Sequence, residues 1–86
     1  MTEREEGEID RGRALLREGK AEEAIAHLDS LSESVELLLV KSQAYSAAGD
    51  VDAAIQALER AVILDPSRQE VRRLLADKRL ERVRTE

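Results

Sequence analysis

The feature of this sequence that most constrains its fold is the return of similar residues at a spacing of 30 positions. The matching pairs consist of small or aliphatic residues, with one tyrosine: Gly12 and Ser42, Leu15 and Tyr45, Gly19 and Gly49, Ala24 and Ala54, Leu28 and Leu58, Leu31 and Ala61. Periods of about 20–50 residues are typical of proteins built from stacked supersecondary units. Because each period here holds two helical segments, the sequence predicts a repeat of helical hairpins.

Apolar residues at i, i+3, i+4 and i+7 indicate five amphipathic helices. We predict these helices at residues 2–18, 20–29, 35–48, 51–64 and about 67–84. No alternating pattern typical of a strand occurs, and the short turns between helices predict antiparallel neighbours. The expected fold class is therefore all-α.

The predicted helices are separated by residues that favour helix ends. Gly19 and Gly49 stop helices because glycine readily adopts the left-handed conformation found there. Asp50 is the expected N-cap of the fourth helix, and Asp65 precedes a proline and so avoids the helical region. Two candidate capping boxes and a serine-rich break complete the pattern, at Thr2-x-x-Glu5, at Ser67-x-x-Glu70 and at Ser30, Ser32 and Ser34.

Small residues occupy positions where large side chains would be expected in a helical core. We predict that Ser42, Ala54 and Ala61 allow close approach of helices within and between hairpins. Bulky side chains at such positions would overpack the core and cost about 1–3 kcal/mol. Alanine is therefore interpreted as a requirement of helix geometry.

These residues resemble the tetratricopeptide repeat family, whose pattern is W-x2-L-G-x2-Y, then A-x3-F, then P, over about 34 residues. The second unit matches it in spacing, small residues and terminal proline, at Leu38, Lys41, Ser42, Tyr45, Ala54, Leu58, Ala61, Leu64, Asp65 and Pro66. The first unit keeps Gly12, Leu15, Gly19, Ala24 and Leu28. It departs at the Trp and Leu positions, which hold Glu8 and Arg11, and it ends about four residues early without the proline.

The resemblance implies a single domain over residues 1–86, with a degenerate first repeat at 5–33, a second repeat at 35–66 and a capping helix at 67–85. It implies antiparallel helical hairpins stacked as a short right-handed α-solenoid of five helices. In this family the first helix of each hairpin lines a concave groove that holds an extended or helical peptide. The expected function is therefore protein–protein interaction, as a binding module or scaffold.

Carrying the family's groove positions over by alignment gives the expected partner-binding residues. They are Glu6, Ile9, Arg13 and Arg17 from the first helix, Glu36, Leu39, Gln43 and Ala47 from the third, and Arg73 and Asp77 from the fifth. Leu39 belongs to a run of three leucines that one hairpin contact cannot bury, so it is the expected apolar floor. The alternative is that Leu39 packs against a neighbouring helix and that the groove is vacant.

Charge is distributed unevenly between the two ends of the chain. Residues 1–10 hold five acidic side chains and one arginine, whereas residues 68–84 hold seven Lys or Arg and three acidic side chains. A basic helix is typical of an anion-binding face or of a salt-bridged solvent face. The opposite charges of the two ends of the chain also favour head-to-tail contact between copies. In addition, two repeats are fewer than the three usually needed for stability. A self-associating domain, as a homodimer or helix swap, is therefore the alternative function, and a designed repeat without a natural ligand is also open.

Composition argues against several classes of protein. The net charge of −5 and a single aromatic residue argue against a nucleic-acid binder. Cysteine is absent, and neither an apolar run of membrane-spanning length nor a signal peptide is found, so a cytoplasmic location is the default expectation. His27, the only histidine, is expected to face outward without a nucleophile or orienting carboxylate. We therefore predict a protein that is not an enzyme and that has no cofactor, no metal and no catalytic residues.

Overall fold

The computed structural model of the chain describes residues 3–85. Over that range the chain forms five α-helices and no strand: α1 Glu3–Arg17, α2 Ala21–Asp29, α3 Val35–Ala47, α4 Val51–Leu64 and α5 Gln69–Thr85. The predicted all-α class is confirmed, and each helix begins and ends within a few residues of the predicted bounds. The capping box predicted at Thr2 lies outside the described residues.

Both turns that follow the first helix of a hairpin have the same backbone conformation. Gly19 has φ 79° and Gly49 has φ 83°. Residues with a side chain disfavour these positive φ values, whereas glycine adopts them readily. The backbone amide of the residue after each glycine donates a hydrogen bond to the carbonyl five positions earlier. Lys20 N donates to Leu15 O and Asp50 N to Tyr45 O, each at 2.9 Å. These bonds satisfy carbonyls that a helix end leaves without partners, so the prediction of glycine helix stops is confirmed.

The predicted helix caps have different outcomes. Asp50 Oδ1 accepts from Ala53 N at 3.0 Å, which confirms it as the cap of α4, and Ser34 Oγ accepts from Leu37 N at 3.1 Å at the start of α3. The capping box predicted at Ser67 is wrong. The Ser67 hydroxyl instead donates to Asp65 Oδ1 at 2.6 Å, because the proline turn brings these two side chains together before α5 begins.

Each helix packs on the next along the chain, and α1 also packs on α3. The helix that unites the structure is α3, which contributes to two hydrophobic clusters. Leu37 and Val40 enter an N-terminal cluster with residues of α1 and α2, and Leu38 enters a C-terminal cluster with residues of α4 and α5. A helix that is apolar on several sides is a buried one, so α3 lies at the centre of the packing.

Small residues lie at the close helix contacts, as the sequence predicts. Ser42 is buried, and Ala54 and Ala61 have no exposed surface. At Gly12 an added Cβ would lie 2.6 Å from Leu28 Cδ2, so α1 and α2 approach closely there. This tight nesting of hairpins positions the first helices of the units, which form the candidate site.

Candidate partner-binding groove

Residues from α1 and α3 form one depression of about 320 Å³ on the surface. It is lined by Glu6, Ile9, Asp10, Arg13 and Glu36. Four of these five residues are among the predicted groove residues, and Asp10 is the addition. Ile9 is 3% exposed, so it forms the floor while charged groups form the walls.

A chain of ion pairs begins in this depression and extends to the residues at the start of α5. The Arg13 guanidinium lies 2.6 Å from Asp10 Oδ1 and 4.0 Å from Glu36 Oε2. Glu36 Oε1 also accepts from Arg68 at 2.7 Å, and Arg68 donates to Glu70 at 2.6 Å. Glu36 is therefore shared between an arginine of α1 and one that precedes α5. Sequence reasoning missed Arg68, because its contact depends on how the turn after Pro66 folds back towards α3.

These contacts alter the acidity of the groups they join. The carboxylate of Glu36, and then that of Glu70, raises the pKa of Arg68 above its usual value, because both accept hydrogen bonds from its guanidinium. The same guanidinium lowers the pKa of Glu70 below its usual range. Exposed ion pairs contribute little to stability. They set the arrangement of positive and negative charge at this part of the surface.

A second depression, also of about 320 Å³, separates α3 from α5. Its lining combines two leucines, Leu58 and Leu74, with four polar residues: Ser42, Gln43, Ser46 and Lys78. Leu58 is fully buried at its base, whereas Leu74 remains 42% exposed at its wall. We call this depression the α3–α5 cleft.

Only one predicted groove residue, Gln43, lines the α3–α5 cleft. On α5 the cleft is lined by Leu74 and Lys78, whereas the predicted Arg73 and Asp77 are exposed residues one position earlier. The signal that points to this face is the buried pair Val71 and Leu75. Leu74 and Lys78 lie three positions after Val71 and Leu75 respectively, so they share one side of α5 with the buried pair.

The remaining predicted residues lie away from both depressions. Arg17 is exposed at the end of α1. Ala47, at the end of α3, lies close to Gly19 and Lys20 in the turn that follows α1. Leu39 is half-buried and packs against the C-terminal cluster. The alternative interpretation of Leu39, as a residue packed between helices, thus accounts for its position, and the exposed leucine of this surface is Leu74.

His27 does not face outward as expected. Its ring is 18% exposed, and Nε2 lies 2.8 Å from the backbone oxygen of Glu8 and 3.4 Å from the carboxylate of that residue. Because a backbone carbonyl only accepts, Nε2 carries the hydrogen in this contact. The histidine therefore joins α2 to α1, since the close approach at Gly12 brings the two helices within reach of each other.

Three of the six Lys and Arg side chains of α5 pair with neighbouring acidic groups. Arg79 lies 3.0 Å from Glu59, and Arg82 lies 3.2 Å from Asp52, both across the contact with α4. Lys78 lies 3.0 Å from Glu81 within α5. In the described part of the chain no three His, Cys, Asp or Glu side chains converge as metal ligands would. The helix thus carries a salt-bridged face.

Stacked helical hairpins with a groove on their first helices define the class of α-helical repeat proteins. The family model of the tetratricopeptide repeat matches residues 15–78, which span the end of α1 and most of the helices that follow. The chain belongs to the tetratricopeptide repeat family. Tetratricopeptide repeats generally mediate interactions between proteins.

Comparison with curated proteins and with solved structures gives no significant match. Within residues 3–85, no helix combines the length and the apolar character needed to cross a lipid bilayer.

Proposed function

We propose that the chain binds a peptide or a partner helix along the surface formed by α1, α3 and α5. The observation that supports this function best is that predicted groove residues from separate helices, Glu6, Ile9, Arg13 and Glu36, line one depression. The α3–α5 cleft extends the candidate surface towards the last helix. The division into repeats at 5–33, 35–66 and 67–85 belongs to the same proposal.

The proposed mechanism is presentation of a groove that is ordered before the partner arrives. The packed helices hold the floor residue Ile9, which is 3% exposed, in the N-terminal cluster, so binding orders few receptor side chains. Most of the conformational entropy lost on binding then belongs to the peptide. Charged groups on the surface steer encounter and select partners more than they add affinity.

A selection of random displayed short peptides on the intact chain tests this function. Peptides enriched on the wild type should bind the Arg13→Glu variant at least about tenfold more weakly, because reversal of this charge changes the potential of the groove. Arg60→Glu is the matched control, since Arg60 is also ion-paired, to Glu33 at 2.8 Å, and lines neither depression. Equal binding to wild type and Arg13→Glu, or no enrichment of any peptide, contradicts the proposal.

Self-association is the second candidate function, and two exposed side chains on α5 favour it. Leu80 is 55% exposed and Val83 is 66% exposed, three positions apart and therefore on one side of the helix. Neither residue lines the groove. A second copy of the chain would bury this apolar pair and extend a core built from few repeats.

Light scattering over a dilution series tests this candidate. We expect a dimer at high concentration and a monomer for the Leu80→Gln, Val83→Gln double variant, which removes apolar surface without adding charge. A wild-type chain that is monomeric at every concentration contradicts self-association and leaves the peptide proposal standing. In both candidates the role is binding and not catalysis, and the cytoplasmic location stays a prediction.

A further inference from the structure

We infer that the α3–α5 cleft is the anchor point of the groove and takes an aliphatic side chain from a peptide with an acidic residue close by. The inference rests on the proposed peptide-binding function and specifies the chemistry of the partner. It differs from the sequence-based expectation, in which Leu39 forms the apolar floor. Three features of the cleft support it: an apolar wall, the available space and the charge at the rim.

The apolar wall is formed by two leucines at different depths. Leu58, 1% exposed, closes the base from α4, and Leu74 stands at the wall from α5 with 42% of its surface exposed. Leu74 is the large exposed apolar residue that lines this surface, since the other walls are polar or short. Covering it with a partner's aliphatic group removes apolar area from water on both molecules, which is favourable.

The space exists because α3 presents small side chains to α5. Ser42 and Ser46 lie one turn apart on α3 and line the cleft together. The resulting volume of about 320 Å³ is at the lower end of the range of about 300–1,000 Å³ found for ligand pockets. Such a cleft admits one or two side chains of a peptide. The depression between α1 and α3 has a similar volume but charged walls, so it is the poorer place for an apolar anchor.

Charge at the rim favours an acidic neighbour to the anchor residue. Lys78 lines the cleft and is held only by Glu81, a pair on the surface of one helix at 3.0 Å. Pairs of this kind are weak, so a partner carboxylate competes with Glu81 for the ammonium group. The amide of Gln43, on the opposite wall, both donates and accepts hydrogen bonds and suits the backbone of an extended peptide.

The peptides selected on the wild-type chain also test the anchor. We expect them to share a Leu, Ile or Val with an Asp or Glu within two positions. Leu74→Asp should weaken their binding about tenfold or more, the loss that follows removal of about 1.4 kcal/mol of contact energy. Lys78→Glu should weaken the binding of acidic peptides more than the binding of their Asp→Asn or Glu→Gln forms. A purely structural role of Lys78 would weaken the binding of both forms equally.

Two variants serve as matched controls. Leu64→Asp changes a leucine of similar exposure, 41%, that does not line the cleft. Arg72→Glu makes the same charge reversal as Lys78→Glu on an exposed residue of the same helix. Both should bind the peptides within about twofold of wild type, as is usual for surface changes away from a contact. Circular dichroism and thermal unfolding show whether each variant is folded, and Lys78→Glu keeps the test informative if Leu74→Asp unfolds.

The outcomes separate the anchor from the groove as a whole. Loss of binding with Arg13→Glu but not with Leu74→Asp or Lys78→Glu overturns the anchor and leaves the proposed function intact. Selected peptides without the aliphatic and acidic pair also overturn it, and so does a change in oligomeric mass on Leu74→Asp, which would assign the cleft to a second copy of the chain. Loss with Arg13→Glu, Leu74→Asp and Lys78→Glu, but not with the controls, supports both proposals.

Discussion

The two glycines inside α1 show how much a single residue's surroundings decide its role. Gly7 has no atom within 4 Å of the position where a Cβ would lie, whereas at Gly12 that position is 2.6 Å from Leu28 Cδ2. Leu28 has no exposed surface, so a shift of its side chain would disturb the packed cluster around it. Glycine inside a helix is unfavourable by itself, and close packing accounts for glycine at position 12 but not at position 7.

These surroundings predict opposite effects for the same substitution. Gly12→Ala should lower the free energy of unfolding by about 1–3 kcal/mol, because the added methyl group overpacks the contact with Leu28. Gly7→Ala should raise it by about 0.5–1 kcal/mol, because alanine loses less backbone entropy in a helix. Urea unfolding at equilibrium measures both changes. Equal effects of the two substitutions would mean that α1 and α2 do not approach closely at Gly12.

Ser46 illustrates a residue whose hydrogen bonding is incomplete. Its hydroxyl is buried without a hydrogen-bond partner, whereas one turn earlier the Ser42 hydroxyl donates to Leu39 O at 2.7 Å. A buried hydroxyl without a partner is unfavourable, and alanine is the better helix former. Ser46→Ala should therefore raise the free energy of unfolding, by about 1–3 kcal/mol from the hydroxyl alone. Ser42→Ala is the control, and an equal or larger gain there would contradict this reason.

Among the elements, the turn between α4 and α5 combines three local signals. The chain leaves the helix at Asp65, proline prevents its continuation, and Ser67 donates to Asp65 from both its hydroxyl and its backbone amide, at 2.6 and 3.2 Å. The hydroxyl contact contributes most to lowering the pKa of Asp65, followed by the amide. The turn therefore depends on a charged carboxylate.

This turn predicts part of the acid sensitivity of the chain. The pKa of Asp65 is lower in the folded chain than in the unfolded chain. The charged carboxylate therefore contributes its full stabilisation above the ordinary aspartate pKa of about 4. That contribution is lost as the pH falls towards the folded value, because the unfolded chain takes up the proton first. Ser67→Ala should therefore destabilise the chain at neutral pH and less so in acid, as measured by urea unfolding. The exposed Ser32→Ala serves as control, and a difference between wild type and Ser67→Ala that is independent of pH would contradict this role.

At the scale of the whole molecule, α3 couples the two halves. Leu37 and Leu38 are neighbours in sequence but enter the N-terminal and the C-terminal cluster respectively. Both are almost fully buried, at 2% and 5% exposure. A rigid helix that is part of both clusters makes it difficult for one half to unfold while the other remains intact.

This coupling predicts a single cooperative transition. Leu37→Ala and Leu38→Ala should each lower the free energy of unfolding by about 2–5 kcal/mol, the usual range for a buried leucine. Thermal unfolding followed by circular dichroism should remain one transition in both variants. A variant that unfolds in two steps would show that the clusters are independent. Leu64→Ala, at a leucine 41% exposed, should cost less than either.

Sequence alone determined the elements of this protein and where they end. Helix periodicity, the glycine stops at Gly19 and Gly49, and the cap at Asp50 act over a few residues, so each is readable locally. The recurrence at 30 positions likewise indicated paired helices, and the motif residues from Leu38 to Pro66 gave the resemblance to the family. Only the tertiary structure decided which face of α5 meets α3, because that depends on how helices distant in the sequence pack together.

This packing joins residues that are far apart in the sequence. It turns Leu39 towards the C-terminal cluster, places Leu74 at the α3–α5 cleft, and brings Arg68 to Glu36, a residue 32 positions away. It also sets His27 against the backbone of α1. A sequence pattern specifies a helix's apolar side but not its rotation against a distant neighbour, since many small contacts act together to set it. A depression lined by predicted residues of α1 and α3 was therefore predictable, and the position of Leu74 opposite α3 was not.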